Sequence, residues 1–414
     1  MYKQILHTPE GVRDIYNGEC RRKQFIQDQL HQVLLSYGYE DIQTPTFEFF
    51  DVFSREIGTV PSRELYKFFD REGNTLVLRP DVTPSIARAV AKYFTEEDMP
   101  VRLCYMANTF INSSELQGRL KETTQLGAEL IGDGSAETDA ELLALVVESL
   151  LKAGLKEFQV SVGHVDFFQS LLKEAGLPEE MELELREFIS NKNIFGVKEL
   201  LDPLELPDPL KEALASIPNL FGSVDVLDRA ESCAVSADAK AALARLRKIY
   251  RLMEYYGYEK YITFDLGVVS KYKYYTGIIF QAYTYGTGEA VAKGGRYDTL
   301  MDHFGKPAPA IGFVCVTDRL LSALNRQNIR VGMDRPLTLL LYYPEEAQTA
   351  IACAGKLRQT LEDTELLCMD ADKDVDDYRA YAKKRDVSKL CYYKDGHFVA
   401  ETLKEIERPG VERR

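Results

Sequence analysis

Residues 101–132 read VRLCYMANTFINSSELQGRLKETTQLGAELIG. Two stretches within this segment, 101–111 and 124–132, are rich in apolar, β-branched and aromatic residues, and a polar loop separates them. Such stretches favour extended strands, and two strands joined by one polar loop pair readily as a hairpin. We therefore predict a long antiparallel hairpin as the start of an antiparallel sheet.

The segments around this hairpin show helix and strand signals in turn. Residues 19–37 carry apolar side chains at helical spacing, and Gly38 ends that helix. Residues 74–79 (NTLVLR) predict a buried strand, and Pro84 opens a helix through Ala91. A further helix is predicted over 136–151. Predicted strands and amphipathic helices thus alternate along this part of the chain.

The middle of the chain predicts a helical module inserted into the sheet. Residues 166–256 are wholly helical in pattern, with short helices punctuated by prolines. Strand character returns at 261–266 and at 277–285 (GIIFQAYTY), and residues 310–324 (AIGFVCVTDRLLSAL) predict a final strand and helix. The sheet is therefore expected to be built from segments on both sides of the insertion.

A new pattern begins after Pro336. Residues 336–404 alternate as strand, helix, strand, helix and strand, which predicts a small α/β domain. Its acidic run DADKDVDD, 370–377, is a poor surface for RNA. The last eight residues, ERPGVERR, are expected to form a mobile tail.

Composition narrows the class of protein. The 414 residues carry a formal net charge of -14, from 51 Lys+Arg and 65 Asp+Glu, which disfavours nucleic-acid binding. No long uncharged apolar stretch or export signal is found, so we expect a cytoplasmic protein that does not bind membranes. The seven cysteines are scattered and never form a C-x-x-C pair, which argues against disulfides and against a zinc site.

Several short motifs, in order along the chain, carry a family resemblance. LLSYGYEDIQTPTFE (34–48) looks like motif 1 of the class II aminoacyl-tRNA synthetases, and TQLGAELIG resembles the second half of motif 2. LRPDVTPSIARA (78–89) and KYYTGIIF (273–280) resemble the amino-acid recognition loop and the histidine-specific motif of histidyl-tRNA synthetases. The segment 310–324 resembles motif 3. This resemblance implies an α+β fold with a class II synthetase-like antiparallel sheet.

The resemblance also divides the chain. Residues 1–165 and 257–332 would form the synthetase-like core, 166–256 the helical insertion, and 336–404 a shortened version of the anticodon-binding domain. In this family motif 1, with Pro45 here, builds a dimer interface, so self-association as a dimer is expected.

Carried over residue by residue, the resemblance implies a pocket for free histidine. Asp81 and Thr83 would meet the α-ammonium group, helped by Gln125, and Glu129 would meet the imidazole. The walls and further hydroxyl groups would come from Tyr274, Tyr275 and Tyr297.

Each of these residues also has a simpler interpretation. Asp81 before Thr83 could be a helix N-cap, tyrosines in strands usually pack, and Glu129 could face solvent.

The groups that activate histidine with ATP are missing. Where motif 2 of the synthetases has Phe-Arg-x-Glu, this chain has Phe110, Ile111, Asn112 and Ser113. Aligned on Tyr-Tyr-Thr-Gly, Ser270 stands at the catalytic arginine and Lys273 at the aspartate of the histidine-specific motif. Arg319 of motif 3 is retained, and Arg119 follows the loop glycine. Neither Lys271 nor Lys273 supplies the bidentate fork of an arginine. Loss of two such donors should abolish adenylation, so we expect no catalytic residue.

This combination resembles the regulatory subunits that pair with short-form ATP phosphoribosyltransferase. The resemblance implies a non-enzymatic chain that is required for activity of the catalytic partner, transmits feedback inhibition by histidine and assembles with the partner into a hetero-octamer. It implies no cofactor and no metal. Two alternatives remain: a divergent histidyl-tRNA synthetase, and a synthetase-like module for RNA binding or signalling.

Overall fold

The chain forms two compact units, Met1–Val331 and Gly332–Arg414. The computed structural model describes residues 6–53, 60–113, 120–234, 236–268, 274–331, 337–360, 363–385, 387–394 and 397–403. None of the described helices combines the length and the apolar character needed to cross a membrane.

A nine-stranded sheet dominates the first unit. In chain order its strands are β1 Glu40–Asp41, β5 Val101–Phe110, β6 Glu122–Ile131, β7 Phe158–His164, β8 Phe221–Gly222, β9 Ile262–Asp265, β10 Ile278–Thr284, β11 Ala292–Arg296 and β12 Ala310–Val316. The spatial order is β1-β5-β6-β12-β11-β10-β7-β9-β8. The predicted hairpin is confirmed, because β5 and β6 pair antiparallel over their whole length, from Val101 opposite Ile131 to Phe110 opposite Glu122. A smaller sheet, in the order β2-β4-β3, contains β2 Phe47–Phe49, β3 Lys67–Phe69 and β4 Thr75–Leu78.

Ten helices accompany these sheets in the described part of the first unit. They are α1 Asn17–Ser36, α2 Thr83–Tyr93, α3 Ala136–Lys152, α4 Val165–Ala175, α5 Glu179–Ser190, α6 Ile194–Leu201, α7 Asp208–Ser216, α8 Asp225–Glu231, α9 Ala237–Tyr256 and α10 Thr317–Arg326. Helices α1 and α10 pack against β6, and α3 packs against β12. The helices of the predicted insertion share one continuous apolar core with the sheet.

Two features of this region depart from the sequence prediction. The pattern of 166–256 is not wholly helical, since the two-residue strand β8 interrupts it and pairs antiparallel with β9. Strand β7 was not predicted, although its residues FQVSVGH alternate in burial and it pairs with both β9 and β10. Both strands form through partners far away in the sequence, which local periodicity does not show.

Strand β6 separates two environments. Leu126, Ala128 and Leu130 point into the apolar core under the helices. Because side chains alternate across a strand, Gln125 and Glu129 point to the opposite face. That face forms the pocket described below.

The second unit is a four-stranded sheet in the order β14-β13-β15-β16. Its elements are β13 Leu337–Tyr342, α11 Ala347–Gln359, β14 Asp363–Cys368, α12 Val375–Lys384, β15 Lys389–Lys394 and β16 His397–Thr402. The predicted alternation is confirmed, with β13 parallel to β14 and β15. The added strand β16 pairs antiparallel with β15 and was not predicted. The tail ERPGVERR lies outside the described residues.

A buried ion cluster holds α3 against the sheet. Asp139 of α3 is fully buried, and its two oxygens lie 2.6 Å from Arg296 and 2.6 Å from Arg245. Arg296 ends β11 and Arg245 belongs to α9, so a single carboxylate joins three elements. Burial raises the pKa of Asp139 in spite of the two arginines.

We predict that Asp139→Ala destabilises the chain by about 3–5 kcal/mol, because it removes the buried carboxylate of Arg296 and leaves this buried guanidinium group with only the partly exposed Asp298, at 3.1 Å, as counter-charge. Urea unfolding monitored by circular dichroism measures this loss. Asp228→Ala, which removes an exposed partner of Arg247, is the control and should cost less than about 1 kcal/mol. Equal losses in the two variants would contradict a structural role for the cluster.

Candidate functional site

The open face of β6 carries a cavity of about 130 Å³. All seven residues predicted for the histidine pocket line it. They are Asp81, Thr83, Gln125, Glu129, Tyr274, Tyr275 and Tyr297. The structure thus brings together residues from β6, from the start of α2 and from segments next to β10 and β11.

Glu129 is at the centre of the site. Its side chain is 1% exposed, and each carboxyl oxygen accepts one hydrogen bond. The Thr83 hydroxyl donates to Oε1 over 2.7 Å, and the Tyr297 hydroxyl donates to Oε2 over 2.5 Å. The simpler interpretation, a side chain facing solvent, is therefore wrong.

A glycine on the neighbouring strand makes room for this carboxyl group. Gly312 of β12 pairs directly with Glu129. A Cβ atom at position 312 would lie 1.7 Å from Oε2 of Glu129, so any other residue there would displace the carboxyl group. In β11, a Cβ at Gly295 would similarly lie 2.7 Å from the Tyr275 ring. Sequence reasoning did not single out either glycine, because their need arises from strand pairing.

Burial raises the pKa of Glu129 to about 8. The hydrogen bonds from Tyr297 and Thr83 oppose this rise, and the nearby Asp81 adds to it. Burial also raises the pKa of Tyr297 well above its ordinary value. The ligand-free pocket therefore keeps a proton on Glu129 at neutral pH.

Asp81 combines two roles. Its Oδ1 accepts the backbone N–H groups of Val82 over 2.7 Å and of Thr83 over 3.4 Å, just before α2. The N-cap residue of α2 is Val82 and no side chain caps the helix, so the helix-cap interpretation of Asp81 is wrong. The Oδ2 atom accepts the Tyr274 hydroxyl over 3.2 Å, and Asp81 lines the cavity. These local hydrogen bonds hold the carboxylate at the pocket.

Gln125 presents an unmet acceptor. The side-chain Oε1 is buried and has no hydrogen-bond partner among the residues that the structure describes. An unsatisfied buried acceptor is costly, so a donor from a ligand would gain more here than at the surface. An ammonium group beside Asp81 would be such a donor.

Aromatic rings wall the site as predicted. The rings of Tyr274 and Tyr275 lie 4.9 Å apart at 50°, and those of Tyr274 and Tyr297 lie 6.1 Å apart at 84°. Tyr105 of β5 lies behind these rings. A Cβ atom at position 127 would lie 2.6 Å from the Tyr105 hydroxyl, so Gly127 leaves room for this side chain. Sequence reasoning missed Tyr105, although it alternates with the core residue Cys104 in a predicted strand.

The other end of the cavity lies where a synthetase would hold phosphates. Ile111 and Ser113 line it at the two changed motif 2 positions. Arg319 also lines it, and its guanidinium group pairs with Glu289 at 2.5 Å. Arg119, Ser270, Lys271 and Lys273 lie outside the described residues. Lys121 and Lys293 line the cavity as well, and sequence reasoning did not select them.

Comparison with known proteins identifies the family of the chain. The family model "Histidyl-tRNA synthetase" matches residues 11–320. The ATP phosphoribosyltransferase regulatory subunit of Acetivibrio thermocellus is 40% identical over 354 residues, which cover 86% of this chain and 85% of the relative. The protein of the same name from Ruminiclostridium cellulolyticum is 35% identical, with 95% of this chain and 94% of the relative covered.

The chain belongs to the family of ATP phosphoribosyltransferase regulatory subunits. The predicted family is thereby confirmed.

Solved structures confirm the class II synthetase-like fold of this regulatory-subunit family member. A crystal structure from Bacillus halodurans, titled as an ATP phosphoribosyltransferase regulatory subunit/histidyl-tRNA synthetase, superimposes with a TM-score of 0.84. It is 35% identical and covers 94% of this chain and 98% of its own. Histidyl-tRNA synthetase from Nostoc sp. PCC 7120 shares the fold at a TM-score of 0.78 and 19% identity.

We predict that Glu129 makes the stability of this regulatory-subunit homologue fall with rising pH. The ligand-free folded chain keeps the Glu129 proton up to about pH 8, whereas the unfolded chain releases it near the ordinary glutamate pKa of 4.5. Across this window the unfolded state binds fewer protons, so the free energy of unfolding falls by up to about 1.4 kcal/mol per pH unit.

The measurement is a series of urea unfolding curves between pH 5 and pH 9 for the wild type and Glu129→Gln. The difference between the two proteins should slope below about pH 8 and flatten above it. Glu199→Gln, the same exchange at an exposed position, gives the baseline. If the free energy of unfolding changes with pH in the same way in the wild type and in Glu129→Gln, then Glu129 has the same pKa in the folded and the unfolded chain. That outcome would contradict the prediction.

Proposed function

We propose that this chain is the non-catalytic regulatory subunit of a short-form ATP phosphoribosyltransferase and that its pocket senses histidine. One observation carries the proposal. All seven residues predicted to contact histidine line one cavity, and Ile111 and Ser113 line the end of it where the resemblance implies that a synthetase binds phosphate. Such a site suits recognition of an amino acid without its activation.

Free histidine matches the polar groups of the pocket one by one. Its α-ammonium group would donate to Asp81 and to the unmet Oε1 of Gln125. Its imidazole would lie between the tyrosine rings and bond to Glu129. Since Glu129 holds a proton at neutral pH in the ligand-free state, its carboxyl group would donate a hydrogen bond to the unprotonated nitrogen of a neutral imidazole.

Adenylation needs cations that the described part of the pocket does not place at motif 2. Ile111 offers no charge to the α-phosphate of ATP, and Ser113 replaces the carboxylate near adenine. Arg319 is engaged by Glu289 and by the carbonyl of Ala290. Removing one donor that stabilises a transition state typically costs about 10²–10³ in rate, so we propose that activity resides in the partner chain.

Feedback requires that histidine favour an inhibited state of the complex. A coupling free energy of roughly 1–3 kcal/mol suffices for regulation. Gln125 and Glu129 lie on β6, and Lys23 of α1 reaches Thr124 of the same strand over 2.7 Å. We propose that a structural change at the pocket on ligand binding is transmitted along β6 to α1, the helix of motif 1.

The assembly is also proposed. The resemblance implies a dimer through motif 1 and a hetero-octamer with the catalytic chain. Phe47 and Phe49, in and after the motif 1 segment, are 52% and 56% exposed, which supports burial against another chain. We also propose that the chain is located in the cytoplasm, because the partner uses ATP, which is abundant there.

We further propose the domain division 1–165 with 257–332, 166–256 and 336–404. The domain 336–404 would not bind RNA, because its helix α12 begins in the acidic run 370–377, with Asp376 and Asp377 in its first turn.

The first test is histidine binding by calorimetry. We expect one site per chain, and we expect Glu129→Ala to weaken binding at least a hundredfold because the imidazole loses its only buried carboxyl partner among the described residues. Glu122→Gln, a change on the same strand outside the cavity, should bind as the wild type does.

Adding a short-form catalytic subunit completes this test. The chain should activate the partner, and histidine should inhibit the complex only when Glu129 is intact. Activation without histidine binding would leave an assembly subunit and remove the sensor. Neither binding nor activation, together with salt-sensitive tRNA binding, would favour the RNA-binding alternative.

A second test addresses the synthetase alternative. We expect no histidine-dependent exchange between ATP and pyrophosphate above the background of a chain-free control, because Ile111 stands at the motif 2 arginine. Active histidyl-tRNA synthetase serves as the positive control. Exchange that Arg319→Ala abolishes would show a working adenylation site and would contradict the proposal.

A further inference from the structure

Three side chains of different chemistry converge away from the pocket. They are His31 of α1, Asp41 of β1 and Cys104 of β5. Their potential ligand atoms, one from each residue, all lie within 4.8 Å of one another. An imidazole, a carboxylate and a thiol so close together form a ligand set that transition metals favour.

The convergence follows from the sheet and from motif 1. Strand β1 runs parallel to β5, and Asp41 is the register partner of Cys104. The next residue, Ile42, donates its backbone N–H to the Cys104 carbonyl over 2.9 Å. Helix α1 precedes β1 by a short turn and brings His31 to the same place. The backbone therefore fixes the positions of all three residues.

Asp41 Oδ1 is the common point of the cluster. It lies 2.7 Å from His31 Nε2 and 3.5 Å from Cys104 Sγ. The Asp41 side chain is 64% exposed and that of His31 is 29% exposed, whereas Cys104 is buried. An ion can thus enter from solvent between the two outer ligands and reach the sulfur behind them.

We propose that this cluster binds a divalent transition metal ion, with Zn²⁺ the best match. Zinc takes sulfur at about 2.3 Å and nitrogen or oxygen at about 2.0–2.2 Å. In a tetrahedral site such ligands stand roughly 3.3–3.7 Å apart. The Cys104–Asp41 distance already fits, and the His31–Asp41 pair needs a small rotation of the exposed carboxylate.

Charge and ligand type select the metal. The Cys104 thiol loses its proton to solvent when sulfur binds the ion, so thiolate and carboxylate together neutralise a 2+ charge. Mg²⁺ and Ca²⁺ prefer oxygen ligands and do not match a thiol and an imidazole. Three protein ligands leave the fourth zinc position for water.

A metal ion bound at the cluster would connect the motif 1 segment to the strands that form the pocket. Cys104 follows Leu103, which pairs with Glu129 across the hairpin. An ion at the cluster would therefore link α1 and β1 to the strand beside the pocket strand. Cysteine spacing could not predict this site, because its ligands are at positions 31, 41 and 104.

The test uses the full untagged chain, stripped with a chelator and titrated with Co²⁺ and then with Zn²⁺. Cobalt bound through Cys104 should give a thiolate-to-metal charge-transfer band in the near ultraviolet, and one equivalent of Zn²⁺ per chain should remove it. Zn²⁺ should also raise the Tm of the wild type.

Variants assign the ligands. We expect His31→Gln and Asp41→Asn to weaken binding by roughly tenfold or more each, and Cys104→Ala to abolish the charge-transfer band. His303→Gln and Cys368→Ala, which change an exposed histidine and an exposed cysteine elsewhere, should bind metal as the wild type does.

Absence of stoichiometric binding at micromolar metal would overturn the proposal. So would binding that survives both His31→Gln and Asp41→Asn, which are at partly or fully exposed positions and should fold even if Cys104→Ala does not.

Discussion

The alternation of side chains along one strand governs the architecture of the site. Between Gln125 and Leu130, β6 presents Gln125 and Glu129 to the pocket and Leu126, Ala128 and Leu130 to the apolar core, so neighbouring residues face opposite environments. Leu126, Ala128 and Leu130 are buried under helices, so the register of β6 is strongly fixed. That register holds Gln125 and Glu129 on the other face without any flexible loop.

The burial of Glu129 has an electrostatic consequence. A carboxyl group with two hydroxyl donors and no cation beside it in the described structure cannot stay ionised at low cost. The Glu129 carboxyl group therefore keeps its proton up to about pH 8 and is a neutral acid at pH 7 in the ligand-free pocket. Asp139 offers a contrast, since two arginines contact it directly and its role is to join elements. Two buried carboxyl groups in the same unit thus differ in function because of what surrounds them.

Much of this could be predicted from the sequence. Periodicity located the hairpin and most helices, and the motifs placed all seven pocket residues around one cavity. Most of what failed depends on partners distant in the chain. Strands β7 and β8 pair with strands far away in the sequence, and Gly312 is needed only because Glu129 pairs with it. The added strand β16 is different, because it pairs with its neighbour β15 and was overlooked. The helix-cap interpretation of Asp81 was wrong, because the helix begins one residue later than that interpretation requires, with Val82 as its N-cap residue and no side-chain cap.

Ile111 and Ser113, at the end of the cavity where the resemblance implies phosphate binding, decide how the function of the pocket is interpreted. In a synthetase, binding energy from the amino acid is directed toward the transition state of adenylation, and uniform binding of the substrate adds nothing to the rate. Ile111, at the position that the resemblance assigns to the motif 2 arginine, offers no charge to such a transition state. Under the proposed function, ligand binding energy is instead available to differ between two conformations of an assembly, and only such a difference can shift an equilibrium. The exchange of an arginine for an isoleucine is therefore consistent with both parts of the proposal, the loss of adenylation and the use of the pocket for regulation.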